Sequence, residues 1–170
     1  MLVSFSQSLT VTASQQDAWD LLRDARRLAH LIPSIESVTP KDRDGGENPE
    51  AGLPEKFLAH VVERVGPFRL SLNLEVKIVK AVGPSLLEAE LTGTDRQGQN
   101  RVSGILRAEL KQASSTSFTG TLINMDSSME VTGMLATLGA APIRRRSNEL
   151  FAQFTERLQG QFSPTGKSTS

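Results

Sequence analysis

Few residues of this sequence have the types and spacing that catalysis or metal binding requires. The chain of 170 residues has two histidines, His30 and His60, and no cysteine. The histidines do not form a zinc-protease or His-x-His motif, and no glycine-rich phosphate loop is present. Without cysteine there are no disulfides, thiolate metal sites or cysteine nucleophiles. The sequence therefore favours binding over catalysis and predicts no metal site.

His60 is the candidate acid or base, because it lies between Ala59 and Val61 in a predicted strand. Pointing outward, it is an ordinary surface residue. Pointing inward, it would titrate near neutral pH inside the domain and could act as a general base. Glu63 and Arg64, on the same strand, offer weaker versions of this chemistry. No spacing supports a serine–histidine–aspartate triad.

Three consecutive arginines, Arg144, Arg145 and Arg146, form the sharpest charge feature. Residues 142–160 hold four arginines and two glutamates, a net charge of +2. Such a cluster could bind anionic lipid headgroups or an acidic protein surface. The alternative is a solvated helix face in which Arg145 pairs with Glu149, four residues later.

Composition narrows the class of protein. The chain is 38% hydrophobic and 22% charged, as in globular domains, and 19 basic residues balance 19 acidic ones. With 5% aromatic residues and no tyrosine, it lacks the basic and aromatic pattern of nucleic-acid binders. No apolar stretch reaches the roughly 18–20 residues of a membrane span, and no signal peptide is evident. We expect a cytoplasmic protein without a nucleic-acid partner.

The N-terminal third predicts one strand followed by two short helices. Residues 3–11 alternate between apolar and polar side chains, which indicates a half-buried strand. Ser14, with Asp17 three residues later, is typical of a helix start. Asp24 caps a second helix, which ends before Pro33 because the residue preceding proline disfavours helical angles.

The rest of the chain predicts an antiparallel meander and one long helix. Alternation is cleanest over residues 70–78, with further strands separated by glycine- and proline-containing turns. Apolar residues from Met134 to Leu158 recur with a helical period, and Pro142 must either kink this helix or start it afresh. We expect an α+β domain over residues 1–162, with a loop at 41–50 and a disordered tail at 163–170.

A sheet of about seven strands curved around one long helix can enclose more space than the helix fills. That space would be a concave, apolar pocket suited to a small ligand. Whether it is open or filled cannot be read from alternation, which only shows which face avoids water. The expected wall residues are Phe57, Leu70, Leu72, Leu74, Leu106, Leu122, Met134, Leu138 and Phe151.

Four collinear phrases resemble the START-like (SRPBCC, polyketide cyclase, helix-grip) superfamily. Residues 11–24 resemble its first strand and acid–alanine–tryptophan helix. Residues 31–38, 65–68 and 131–139 resemble phrases of one family within it, the G-type accessory component of carbon monoxide dehydrogenase. Ser34 departs from that family's glycine, and Pro142 interrupts the last helix near the expected pocket mouth.

The resemblance implies a helix-grip fold and an accessory role beside a molybdenum hydroxylase of the carbon monoxide dehydrogenase type. It implies recruitment of the enzyme to the membrane, with peripheral contact there, and handling of a quinone or lipid, with no covalent cofactor. One alternative is a cyclase- or hydratase-type enzyme that uses His60 or an inward acid. Another is a protein-interaction domain that acts through Arg144, Arg145 and Arg146.

Overall fold

The structure is a computed structural model that describes residues 1–40, 56–115 and 118–162. The expected loop at 41–50 and the expected tail at 163–170 lie outside the described residues. The described elements, in chain order, are β1 (Leu2–Val11), α1 (Gln15–Leu22), α2 (Ala25–His30), β2 (Ile35–Pro40), β3 (Lys56–Val65), β4 (Phe68–Val82), β5 (Leu86–Asp95), β6 (Asn100–Ser115), β7 (Phe118–Gly133), a 3₁₀ helix (Met134–Leu138) and α3 (Ala140–Phe162).

The seven strands form one antiparallel sheet in the order β1-β7-β6-β5-β4-β3-β2. From β2 to β7 each strand pairs with its neighbour in the chain, and β1 closes the far edge against β7. The pairing register shifts between Ile35 and Ser37 and again between Ile78 and Lys80. Such bulges bend and twist a strand. The expected α+β class and antiparallel meander are confirmed.

Both short helices begin at the residues that the sequence indicates. Ser14 Oγ accepts a hydrogen bond from the Asp17 backbone N–H at 3.0 Å. The Asp24 carboxylate accepts one from the Arg27 N–H at 3.2 Å. Each cap satisfies a backbone donor that has no partner within its own helix.

The C-terminal helix starts afresh, which decides between the two outcomes that Pro142 left open. The 3₁₀ helix ends at Gly139, whose φ of +82° suits glycine, and α3 then begins at Ala140. Pro142 therefore lies in the first turn of α3, where its missing N–H removes no helical hydrogen bond.

The β5–β6 turn holds the 3₁₀ helix in place. Asp95 accepts a hydrogen bond from the Asn100 side chain at 2.8 Å, and Asn100 Oδ1 accepts one from the Leu135 N–H at 2.7 Å. Gly133 has a φ of +94°, and a Cβ there would lie 1.8 Å from the Gln99 carbonyl oxygen. Only glycine fits this approach, which sets the point where the chain leaves β7 for α3.

Two separate clusters of buried side chains form the core. The larger one joins β1, β6 and β7 to α1 and the second half of α3: Leu9, Val11, Ala13, Ala18, Trp19, Leu21, Leu22, Leu31, Ala108, Leu110, Ile123, Phe154 and Leu158. The smaller one lies beneath the 3₁₀ helix: Val3, Val65, Leu70, Val131 and Leu135.

Candidate functional site

Large apolar side chains on the middle of the concave sheet face belong to neither cluster. The register places Val76 between Phe57 and Leu91, and it places Leu74 and Leu106 on the same face. All five side chains are partly exposed, and none is part of either core cluster. We call the surface formed by Phe57, Leu74, Val76, Leu91 and Leu106 the open trough.

The position of α3 explains why this region is left uncovered. The helix packs mainly against β1, at one edge of the sheet. The Phe151 ring lies edge-on to Phe5 with centroids 5.2 Å apart, and Gln159 Nε2 donates to the Thr10 carbonyl at 2.8 Å. Because these contacts hold α3 over β1, its second half covers the β1–β7 side of the sheet and leaves the middle strands free.

Two adjoining grooves open where α1 and α2 approach β2. The first, between α2, β2 and the second half of α3, has a volume of about 480 Å³. The second, between the α1–α2 junction and the β2–β3 edge, has a volume of about 560 Å³. Both include Arg26 and Val38, and the second also includes Phe57 of the open trough. The grooves therefore connect the surface with the concave face.

An ion pair ties the first half of α3 to the sheet. Arg146 donates from Nε and Nη2 to Glu63 Oε1, each at 2.8 Å, and Ser34 Oγ donates to the other carboxylate oxygen. Burial alone raises the pKa of Glu63, but the hydrogen bonds from Arg146, Ser34 and the Arg64 backbone lower it below its usual 4.5. Glu63 is therefore held as an anion between the helix and β3.

Thr155, on α3, carries a buried hydroxyl that makes no hydrogen bond within the described part of the chain. It lies between Phe154 and the next buried residue of the helix, Leu158. A buried hydroxyl without a partner costs free energy, because it has lost its bonds to water. It is available to a ligand's polar group.

Four of the nine expected wall residues lie on the concave face of the middle strands. Phe57, Leu74 and Leu106 are part of the open trough, and Leu72 lies two residues before Leu74 on β4. These four remain candidates for the wall of a ligand site.

The structure places the other five elsewhere, which corrects the expectation for them. Leu70 is buried in the smaller core cluster, Leu138 packs against that cluster, and Phe151 packs against the larger one. Met134 is 45% exposed on the 3₁₀ helix. Leu122 lies on the convex face, because its neighbour Ile123 is fully buried on the concave one and side chains alternate along a strand.

His60 points to the convex face of the sheet, away from the open trough. Its Nδ1 lies 3.1 Å from Asn73 Oδ1, and its Nε2 lies 3.1 Å from Ser71 Oγ and 3.7 Å from a Glu36 carboxylate oxygen. Across the described ranges, no group of three or more histidine, aspartate or glutamate side chains is placed to hold a metal ion. The inward-facing His60 that an acid–base role needs is therefore not observed.

The arginine run divides into two environments. Arg144 and Arg145 are exposed, whereas Arg146 is half-buried and bonded to both Glu63 and Glu149. The expected Arg145–Glu149 pair is wrong, since Glu149 pairs with Arg146 at 2.9 Å, three residues away. No helix among the described residues is long and apolar enough to cross a bilayer.

Sequence reasoning missed the residues that line the first groove. Ile35 and Val38 both line it although they are three residues apart, because the bulge between Ile35 and Ser37 breaks the alternation of β2. Arg26 and Arg157 meet there from helices that are far apart in the chain. The period-two pattern carries no signal for either event.

Comparison with known proteins supports the fold. A family model described as "Polyketide cyclase / dehydrase and lipid transport" matches residues 11–88. A conserved protein from Geobacillus kaustophilus superposes with a TM-score of 0.73 at 15% identity, covering 95% of each chain. The Zhui aromatase/cyclase from a Streptomyces species superposes with a TM-score of 0.60 at 13% identity, covering 100% of this chain and 99% of that one.

The chain has the helix-grip fold. A hypothetical protein from Helicobacter pylori shares it, with a TM-score of 0.62 at 12% identity over 96% of this chain and 88% of that one. No curated protein sequence gives a significant match. Identities this low establish the helix-grip architecture alone, and activity has to be argued from the site.

Proposed function

We propose that this helix-grip protein binds an apolar small molecule in the open trough, with the two grooves as its entrance. The observation that carries the proposal is the set of five large apolar side chains that α3 leaves partly exposed on the concave face. Apolar surface is stabilised by about 25 cal/mol for each Å² removed from water. A ligand lying on these side chains gains that free energy.

The dimensions and the comparisons support the same function. Grooves of about 480 and 560 Å³ fall within the range of about 300–1,000 Å³ that small-molecule sites occupy. The family model that matches residues 11–88 is described in part by lipid transport. The half-buried side chains supply an apolar surface without a fixed polar template, which suits a quinone- or lipid-like ligand.

The accessory role beside a molybdenum hydroxylase rests on the sequence resemblance, and we keep it as the finer part of the proposal. In that role the protein carries its apolar ligand at the membrane surface, and the exposed Arg144 and Arg145 contact anionic lipid or the partner enzyme. Affinity capture from its own host, comparing wild type with Arg144→Glu/Arg145→Glu, tests this part.

A second candidate is a cyclase- or hydratase-type enzyme, because a solved neighbour of the same fold is an aromatase/cyclase. Glu63 is an acid on the concave side, but its carboxylate is engaged by Arg146 and Ser34. A Glu63→Gln variant that still turns over a polyketide-type substrate at the wild-type rate would exclude Glu63 as the proton carrier.

The direct test combines native mass spectrometry with ligand-induced thermal shifts. Protein purified from its own host is expected to carry a bound apolar molecule, and added quinones or fatty acids are expected to raise Tm. Leu106→Trp fills the open trough and should abolish the shift. Ile105→Trp, next to it on the convex face and 53% exposed in wild type, should preserve it. A clean apo mass together with no shift from any of these ligands would contradict the proposal.

A further inference from the structure

Basic side chains dominate the rim of the first groove. Arg26, His30 and Arg157 line it together with a single acid, Glu36. We propose that the ligand has an anionic head, a carboxylate or phosphate, which Arg26 and Arg157 bind at this rim while its apolar tail reaches the open trough. This inference rests on the proposed function and specifies the ligand class for that same site.

The two arginines have no counter-charge within the described part of the chain. Neither guanidinium makes an ion pair or a side-chain hydrogen bond there, in contrast to Arg146, which has two carboxylate partners. The one acid of the groove, Glu36, lies 3.7 Å from His60 Nε2. The rim therefore presents positive charge that no described protein group balances.

The acids of the adjoining second groove are also engaged elsewhere. Asp20 accepts a hydrogen bond from Gln16 Nε2 at 2.8 Å. Asp24 caps α2 through the Arg27 N–H. These contacts direct both carboxylates to their own helices rather than to Arg26.

An apolar floor leads from the rim to the open trough. Ile32, Ile35 and Val38 line the first groove, and Val38 also lines the second together with Phe57. Val38 pairs with Ala59 in the register, which places it on the concave face with the trough residues. A tail that starts between the arginines can therefore lie on apolar side chains along its whole course.

Guanidinium groups suit this head chemistry. Arginine remains charged at all physiological pH values and its planar fork matches the two oxygens of a carboxylate or phosphate. His30 Nδ1 lies 2.8 Å from the Arg26 carbonyl oxygen, which fixes the imidazole at the same rim. A neutral quinone gains nothing from this arrangement, so the rim favours an anionic amphiphile over an uncharged one.

The test compares three twelve-carbon probes below their micellar concentrations: dodecanoate, dodecanol and dodecyltrimethylammonium. Wild type is expected to bind dodecanoate on the order of tenfold more tightly than dodecanol, and the cation most weakly. Arg26→Gln and Arg157→Gln should each weaken dodecanoate binding several-fold and the double variant more, with dodecanol unchanged. Arg27→Gln, an exposed arginine on the same helix outside the grooves, is the matched control and should leave dodecanoate binding unchanged.

Equal affinity for dodecanoate and dodecanol, or an equal loss in Arg27→Gln and Arg157→Gln, would overturn the anionic-head inference and leave the proposed function standing. Binding of none of the probes would count against the proposed function itself. Vesicles of neutral and of anionic phospholipid distinguish a free ligand from a lipid surface. Arginine-dependent binding to anionic vesicles without dodecanoate binding would also overturn the inference.

Discussion

The two sides of the concave sheet face have the same alternating sequence pattern and different fates. On the β1–β7 side, Ile123 and Leu110 are at most 1% exposed beneath α1 and the second half of α3. On the β3–β5 side, Leu74 and Leu91 point to the same face and stay partly exposed. Alternation decides which face avoids water, whereas the position of the helices decides whether that face is covered.

The sharpest way to separate the two sides is a matched pair of truncations on β6. Leu110 and Leu106 have the same side chain, strand and face, but only Leu110 lies in the packed cluster. Leu110→Ala should lower the free energy of unfolding by about 2–5 kcal/mol, because it leaves a cavity in a filled core. Leu106→Ala should cost about 1 kcal/mol and weaken ligand binding. Chemical denaturation measures both, and equal losses would contradict the difference between the two sides.

Enlarging two buried alanines tests the same difference in the opposite direction. Ala108 belongs to the larger cluster, whereas Ala89 is in neither cluster and pairs with Leu106. Ala108→Leu should destabilise the protein by about 1–3 kcal/mol through overpacking. Ala89→Leu should change stability by less than about 1 kcal/mol and compete with the ligand. If Ala89→Leu is the more destabilising variant, the trough is already filled.

The Glu63–Arg146 pair predicts a pH-dependent attachment of α3. Because the folded-state pKa of Glu63 is lowered, its contribution is fully present above the usual value of 4.5 and is lost as pH falls through the folded-state pKa. Glu63→Gln should cost about 1–2 kcal/mol at pH 7 and flatten the decline in stability below pH 4.5. Glu149→Gln, at a carboxylate 53% exposed in wild type, is the control and should have little effect on that decline. An unchanged pH profile in Glu63→Gln would contradict the role of the pair.

The smallest expected effect concerns the buried hydroxyl of α3. Thr155→Val replaces a hydroxyl that makes no hydrogen bond among the described residues with a methyl group of similar size. Removing its desolvation cost should raise the free energy of unfolding by up to about 1 kcal/mol in the ligand-free protein. Thermal denaturation checks this, and a loss of stability would show that the hydroxyl is bonded in solution.

Local sequence signals predicted the elements, the caps at Ser14 and Asp24 and the antiparallel order. The facing of Leu122 was also readable, since Ile123 and Met125 alternate with it on β7. The Glu63–Arg146 pair was not, because 83 residues separate its members. The open trough was not readable either: Leu70 and Leu74 share one strand and one face, and only the placement of the 3₁₀ helix makes the first core and leaves the second uncovered.

Methyl-resolved NMR of leucine-labelled protein titrated with dodecanoate tests the central claim most directly. The account predicts that the methyl signals of Leu74, Leu91 and Leu106 shift or broaden while those of Leu9 and Leu110 stay in place. Saturable shifts restricted to the first group would place the ligand on the open trough. Signals that do not respond, or that respond equally on both sides of the sheet, would contradict it.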